Sequence, residues 1–282
     1  MLVIRTADAL RRELGNHTGK KIGLVPTMGY LHRGHLSLVE KSRNVTDITV
    51  VTIFVNPTQF GPNEDFESYP RDEKRDLEML EKAGADIVFV PTVKEIYPEG
   101  NATDIVLHSD ITRKLCAKTR PTHFDGVTNV VSRFLCLVKP HYAFFGRKDA
   151  QQLAIIQRMT KDLLIGTEIV GCPIVREEDG LALSSRNTYL SDAERKNALS
   201  ISRSLFAATE ALERGAKVAN VKTTIAETIE AAGGKVDYVA VVDPATLEDL
   251  DVTDGDYMIA IAAFFGKTRL IDNRARIDGQ CI

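Results

Sequence analysis

From Asp47 to Val55 the chain reads Asp-Ile-Thr-Val-Val-Thr-Ile-Phe-Val, β-branched and almost continuously apolar. Such a run has no polar side to turn to water. It has to be covered on both faces, as a central strand of a parallel sheet is. Two shorter apolar runs, 22–26 and 87–90, share this character, and helical spacing at 34–44 and 71–84 separates them. A short strand at 142–146, a helical stretch at 149–164 and a further strand at 167–175 continue the alternation, while 127–138 is spaced as a helix. Thr6 is placed to cap a first helix. The stretch 91–122 has no periodicity that assigns it. The alternation predicts an α/β fold, a Rossmann-like doubly wound parallel sheet whose ligands gather beyond the carboxyl ends of its strands.

After residue 191 the pattern changes. Ser191-Asp-Ala-Glu194 fits a capping box that opens a helix of about six turns, and a second helix at 219–232 stops at Gly233-Gly234. Strands at 236–242, 257–265 and 268–274 follow without helices between them, which predicts a smaller C-terminal α+β domain. The expected division is 1–176 and 177–282, and a length of 282 residues suits two modest domains.

A net charge of −3 gives no electrostatic footprint for nucleic acid or a membrane surface. No apolar run is long enough to cross a bilayer, and the charges at Arg5, Asp8, Arg11 and Arg12 do not read as a secretory signal. The four cysteines, Cys116, Cys136, Cys172 and Cys281, form no metal-type pairs. Three have apolar neighbours, so buried reduced thiols in a cytoplasmic protein are expected.

Four polar stretches follow or border these elements. After strand 22–26, His32 and His35 lie three residues apart in a glycine-containing turn at the start of a helix, where backbone N–H groups and the helix dipole favour an anion. By themselves the histidines suit phosphate, a metal or a satisfied core equally, although no nearby carboxylate or cysteine completes a metal site. Asn56-Pro-Thr-Gln-Phe60 ends the central strand with two amides. Phe145-Gly-Arg-Lys-Asp-Ala-Gln-Gln152 places Lys148 just past a strand, Asp149 where it could cap a helix or hold a ribose hydroxyl, and Gln152 one turn on. The segment 176–187 carries Ser184, Ser185 and Arg186 on a loop at the domain boundary, suited to a phosphate clamp, a hinge, or both.

Together these stretches resemble the pantothenate synthetase (pantoate–β-alanine ligase) family, within the wider H-x-G-H nucleotidyltransferase group. The likeness rests on P-T-M-G-x-L-H-x-G-H at 26–35, V-N-P-x-Q-F at 55–60, F-G-x-K-D-x-Q-Q at 145–152 and D-G-L-A-[ML]-S-S-R-N at 179–187. Arg120-Pro-Thr-His-Phe-Asp-Gly126 and Arg269-Leu-Ile-Asp-Asn273 also resemble family segments. The departures are Arg147, where an acidic or amide residue is usual, and Leu183, often Met. The resemblance implies ATP-dependent joining of pantoate to β-alanine through pantoyl adenylate, with release of pyrophosphate and AMP. It implies catalytic roles for His35 (proton donor), His32, Lys148 and Arg186. It places ATP against Met28, Gly29, His32, Gly34, His35, Gly146, Arg147, Lys148, Asp149, Val175, Leu183, Ser184, Ser185 and Arg186. Pantoate and β-alanine fall to Gln59 and Gln152. Mg²⁺ would come with ATP, without a protein metal site. The first domain would bind nucleotide and pantoate, the second act as a lid, and the chain pair as a homodimer. Other readings are a different H-x-G-H nucleotidyltransferase, with no use for Gln59 and Gln152, or a nucleotide-binding module without catalysis.

Overall fold

The computed structural model describes residues 1–62 and 64–282. In chain order the first part holds β1 (Leu2–Ile4), α1 (Ala7–Gly15), β2 (Ile22–Thr27), α2 (Arg33–Arg43), β3 (Ile48–Ile53), α3 (Glu73–Ala83), β4 (Ile87–Phe89) and α4 (Val93–Ile96), followed by α5 (His123–Val138), β5 (Tyr142–Gly146), α6 (Ala150–Asp162) and β6 (Glu168–Cys172). The second part holds α7 (Asp192–Glu213), α8 (Val218–Ala231), β7 (Lys235–Val242), β8 (Tyr257–Phe265), β9 (Thr268–Ile277) and β10 (Gln280–Cys281). The chain divides into two compact units. One comprises Met1–Arg113, Ala117–Arg147 and Ile155–Cys172; the other Lys114–Cys116, Lys148–Ala154 and Pro173–Ile282.

The first unit is built on a six-stranded parallel sheet in the order β1-β4-β3-β2-β5-β6. Every residue of β3 is buried, as its continuous apolar run requires. Val25, Val51 and Val88 share one apolar cluster with Leu38 and Val39 of α2 and Leu80 of α3. Strand side chains alternate, so the opposite face takes α5, whose Phe134 meets Phe89 edge-on at 6.4 Å. From β2 the strand order runs outward both ways, to β3 and β4 and to β5 and β6, so the topological switch lies between β2 and β5. Ligands of such sheets bind beyond the strand ends at that switch. Pro26 sharpens it. β2 pairs with β3 through Thr27, but its ladder to β5 covers Gly23 and Leu24. Proline has no N–H to donate, and it stands beyond the point where the β5 ladder stops.

The second unit carries a four-stranded antiparallel sheet in the order β10-β9-β8-β7. Leu205, Val221, Ile225 and Ile229 of α7 and α8 cluster with Val241, Ile259, Ile261 and Phe265 of the sheet. The capping box at Ser191 and Glu194 is formed, and α7 runs 22 residues, the six turns expected. Both the doubly wound sheet and the separate α+β part are as the sequence predicts. Three details differ. β1 and the β10 hairpin are not marked in the sequence pattern. α5 starts at His123 rather than 127. Of the three cysteines expected to be buried, Cys116 and Cys172 are; Cys136 is exposed on α5 and Cys281 is half-buried on β10.

Candidate active site

The turn from β2 into α2 is seated from below and braced from the side. Thr27 at the strand end donates through Oγ1 to the Thr52 carbonyl (2.6 Å) and accepts from the Gly29 N–H (3.2 Å). Gly29 and Tyr30 then take left-handed backbone angles, φ +79° and +50°. Glycine adopts such angles without strain, and a Cβ at position 29 would lie 3.0 Å from Asp76 Oδ2. This conformation aims two successive N–H groups, Tyr30 and Leu31, at the Asp76 carboxylate, each at 2.7 Å. Asp76 is on α3 and almost fully buried. Burial pushes its carboxyl above the usual aspartate range; the two N–H groups and Arg75 oppose that shift without cancelling it. Arg75 completes the brace, donating to the Leu31 carbonyl at 3.0 Å with its guanidinium over the Tyr30 ring.

His32 and His35 form a reciprocal cap for α2. His32 Nδ1 accepts from the Gly34 N–H (3.2 Å), and His35 Nδ1 accepts from the His32 N–H (3.3 Å). The rings lie 4.0 Å apart between centroids. A neutral imidazole that accepts through Nδ1 carries its proton on Nε2. The cap thus sets both rings in the tautomer that presents Nε2–H as a donor, at the positive end of an 11-residue helix. Met28 and Gly34 are half-buried on the same turn.

Past β3, Asn56 organises a second group. Its Oδ1 accepts from the Tyr97 hydroxyl (2.8 Å) and the Thr58 hydroxyl (3.0 Å). Its Nδ2 donates to Gln59 Oε1 (3.0 Å) and to the Gly126 carbonyl (3.0 Å). With Gln59 Oε1 accepting from Asn56, the Gln59 amide group is oriented and its NH₂ is the donating end. The Gln59 main-chain carbonyl is held by Arg120 (3.2 Å) and His123 (2.9 Å), and Arg120 forks onto Glu64 at 2.6 and 2.7 Å. α5 comes close enough that a Cβ on Gly126 would lie 2.3 Å from the Thr58 carbonyl oxygen. Gly146 ends β5, the neighbour of β2, and Arg147, which opens the 3-10 turn after it, donates to the Gly171 carbonyl on β6 (3.2 Å).

The remaining candidates belong to the second unit. Lys148 lies 3.6 Å from the Asp149 carboxylate and is largely covered. Gln152 is half-buried on α6. Its neighbour Gln151 is structural, accepting from the Cys116 N–H (3.0 Å) and donating to the Lys114 carbonyl (2.7 Å). Val175 accepts from the Leu183 N–H (3.0 Å), which closes the loop between them into a small hairpin. Ser184 caps the following 3-10 turn at Arg186 N (3.3 Å), Ser185 is buried and Arg186 half-buried. The sequence reading therefore finds the residues of the His turn on one braced turn, and Val175, Leu183, Ser184, Ser185 and Arg186 on one hairpin and its exit. It missed Asn56 as the orienter of Gln59, and Asp76, Tyr97 and Arg75 altogether. Among the described residues no group of three or more His, Cys, Asp or Glu is arranged to hold a metal ion.

Comparison with known proteins decides the family. The profile of the Pantoate-beta-alanine ligase family matches residues 2–275. The chain belongs to the pantoate–β-alanine ligase family. It is thus a ligase, and the reaction of the family is the formation of pantothenate. A pantothenate synthetase of Acetivibrio thermocellus is 53% identical over 277 residues, 97% of this chain and 98% of that protein. The crystal structure of pantothenate synthetase from Thermus thermophilus superposes with a TM-score of 0.93 at 46% identity, over 97% of this chain and 98% of that one. The ligase from Francisella tularensis, crystallised in complex with Beta-gamma ATP and β-alanine, superposes at 0.82 with 34% identity over 97% of each chain.

Proposed function

We propose that this ligase activates pantoate by adenylation before it meets the amine. The pantoate carboxylate attacks the α-phosphorus of ATP, giving pantoyl adenylate and releasing pyrophosphate. The β-alanine amine then attacks the acyl carbon, and AMP leaves as pantothenate forms. The observation that carries this reading is the reciprocal histidine cap, which puts two Nε2–H donors at the N-terminus of α2. Adenylation builds charge on phosphate oxygens and on the bridging oxygen, and placed donors stabilise that charge without a covalent nucleophile. His35 is assigned as proton donor, His32 as its neighbour on the phosphates, and Lys148 and Arg186 as the cations. ATP is assigned to Met28, Gly29, Gly34, Gly146, Arg147, Asp149, Val175, Leu183, Ser184 and Ser185 besides these four. The relative co-crystallised with Beta-gamma ATP and β-alanine supports ATP and β-alanine as substrates here.

Gln59 and Gln152 are assigned to pantoate, with Gln59 near β-alanine too. Amides suit a substrate that offers hydroxyls and a carboxylate which must remain nucleophilic; a cation paired to that carboxylate would blunt its attack. Magnesium arrives on the nucleotide, its shell supplied mainly by phosphate and water oxygens. We also propose that the chain acts as a cytoplasmic homodimer, which a light-scattering mass measures; no helix among the described residues is long and apolar enough to cross a membrane.

Omission of single substrates tests the chemistry. AMP should form from ATP only with both pantoate and β-alanine present, and exchange of pyrophosphate into ATP should need pantoate alone. ADP as product, or exchange indifferent to pantoate, would refute the adenylate route.

A further inference from the structure

At the middle of β9, Asp272 and Asn273 are adjacent and both buried. Successive strand residues point to opposite faces, and these two reach different segments of the second unit. Asp272 receives Arg176 as a fork, Nη1 to Oδ2 at 2.6 Å and Nη2 to Oδ1 at 3.0 Å. Arg176 opens the hairpin that leads to Arg186, and its Nη1 also donates to the Gly180 carbonyl within it (3.1 Å). Asn273 Nδ2 donates to the main-chain carbonyl of Lys148 (2.8 Å). The two anchors are themselves joined, since the Asn273 N–H donates to Asp272 Oδ1 (2.8 Å). One dipeptide thus holds both segments that carry the candidate cations.

A buried ion pair is a poor device for stability, because desolvating two charges cancels much of their attraction and a packed apolar pair does as well or better. A bidentate fork does supply direction: it allows one relative orientation of strand and loop. The hydrogen bond to Lys148 does the same for the main chain from which the ammonium extends. Side chains that must meet a phosphate within a few tenths of an ångström need such fixing.

We propose that Asp272 and Asn273 are positioning residues for the adenylation step, Asn273 acting through Lys148 and Asp272, by way of Arg176, through Arg186. This rests on the reading of Lys148 and Arg186 as groups that act on ATP. The test is a pair of double-mutant cycles read in pantoate-dependent ATP–pyrophosphate exchange. Asn273→Ala should slow exchange about 10-fold, the usual effect of one lost hydrogen bond, with pantoate affinity unchanged. In the Lys148→Ala background the same substitution should change the rate by less than about 2-fold. Asp272→Asn should behave likewise against Arg186→Ala; if it lowers the melting temperature too far to assay, Arg176→Lys, which keeps the charge and loses the fork, takes its place. A structural role would instead give the same loss in both backgrounds, and that additivity overturns the inference. So does a wild-type rate for Asn273→Ala. Near-wild-type exchange in Lys148→Ala and Arg186→Ala themselves would refute the underlying assignment instead, so the two failures are told apart.

Discussion

Asp76 Oδ1 lies 2.7 Å from the Leu31 backbone nitrogen, and the other oxygen of the same carboxylate is 2.7 Å from that of Tyr30. The candidate active-site turn is therefore shaped by a side chain from α3, more than forty residues away in sequence. Asp76→Ala removes the acceptor from both N–H groups, and an unsatisfied buried donor costs about 1–3 kcal/mol. Asp76→Asn keeps one acceptor and turns an NH₂ toward the other N–H. We expect exchange to fall about 10- to 100-fold in the alanine variant and less in the asparagine one. Equal, wild-type rates in both would mean the turn holds its shape without the brace.

The same carboxylate gives activity and stability opposite responses to acid. Burial, the largest influence, holds its pKa above the ordinary 3.8. Between those two values the folded state binds more protons than the unfolded one, so this group stabilises the fold when protonated, and that contribution is lost as pH rises through the folded pKa. The turn, in contrast, needs two acceptor oxygens, and protonation puts a donor against an N–H. On lowering the pH toward the ordinary aspartate value of 3.8, exchange should decline while this site adds stability to the fold rather than removing it. Asp76→Asn, which resembles the protonated form, should lack that part of the profile. An unchanged acid limb in Asp76→Asn would assign it to another group.

For the proposed phosphate ligands the expectation is larger. His35→Ala and Lys148→Ala should each lower turnover roughly 100- to 1000-fold, about 3–4 kcal/mol, the usual loss of one charge-stabilising donor. Circular dichroism should show the fold kept in Lys148→Ala. In His35→Ala a modest drop in melting temperature is also expected, since the ring caps α2 and losing a cap costs about 1 kcal/mol. Rates near wild type in both would mean the phosphates lie elsewhere.

Gln59 and Gln152 should separate the substrates. Gln152→Ala is expected to weaken pantoate far more than ATP in titrations of the first step. Asn56→Ala should produce a similar pattern indirectly, by releasing the Gln59 amide from its orientation. Equal losses for ATP and pantoate would argue against the assignment.

Gly126→Ala probes how closely α5 must approach the 57–59 turn. Its methyl would meet the Thr58 carbonyl at 2.3 Å, and forcing the two apart should cost about 1–3 kcal/mol in denaturant unfolding, as overpacking usually does. Because Gln59 follows Thr58, pantoate affinity should fall with it. Unchanged unfolding would show that the helix can retreat freely.

The sheet was legible because its central strands are buried on both faces and so carry an unbroken apolar signal, as 48–53 does. β1 escaped because three residues at a sheet edge, two of them exposed, carry no period. The 91–122 stretch resisted assignment since it is made of α4, two short 3-10 turns and irregular chain, each below the length at which periodicity shows. Much of the candidate site could be found in the sequence because its side chains sit just beyond strand ends, where chain order predicts them. Asp76 could not: on the sequence it is one of several acidic residues in a charged helix, and the tertiary contact alone sets it apart. The histidine pair was visible, but its cap was not, because capping boxes are ordinarily built from a hydroxyl and a carboxamide or carboxylate.

That cap narrows what evolution or an engineer can place at 32 and 35. Asparagine or serine could take over the helix end and lysine could offer a proton to phosphate, yet neither does both from one side chain. A ring with two distinguishable nitrogens can, one spent on the main chain and the other serving, in the proposed mechanism, the phosphates. Libraries that randomise these positions should therefore return folded but inactive proteins far more often than active ones, and recover histidine wherever turnover is selected.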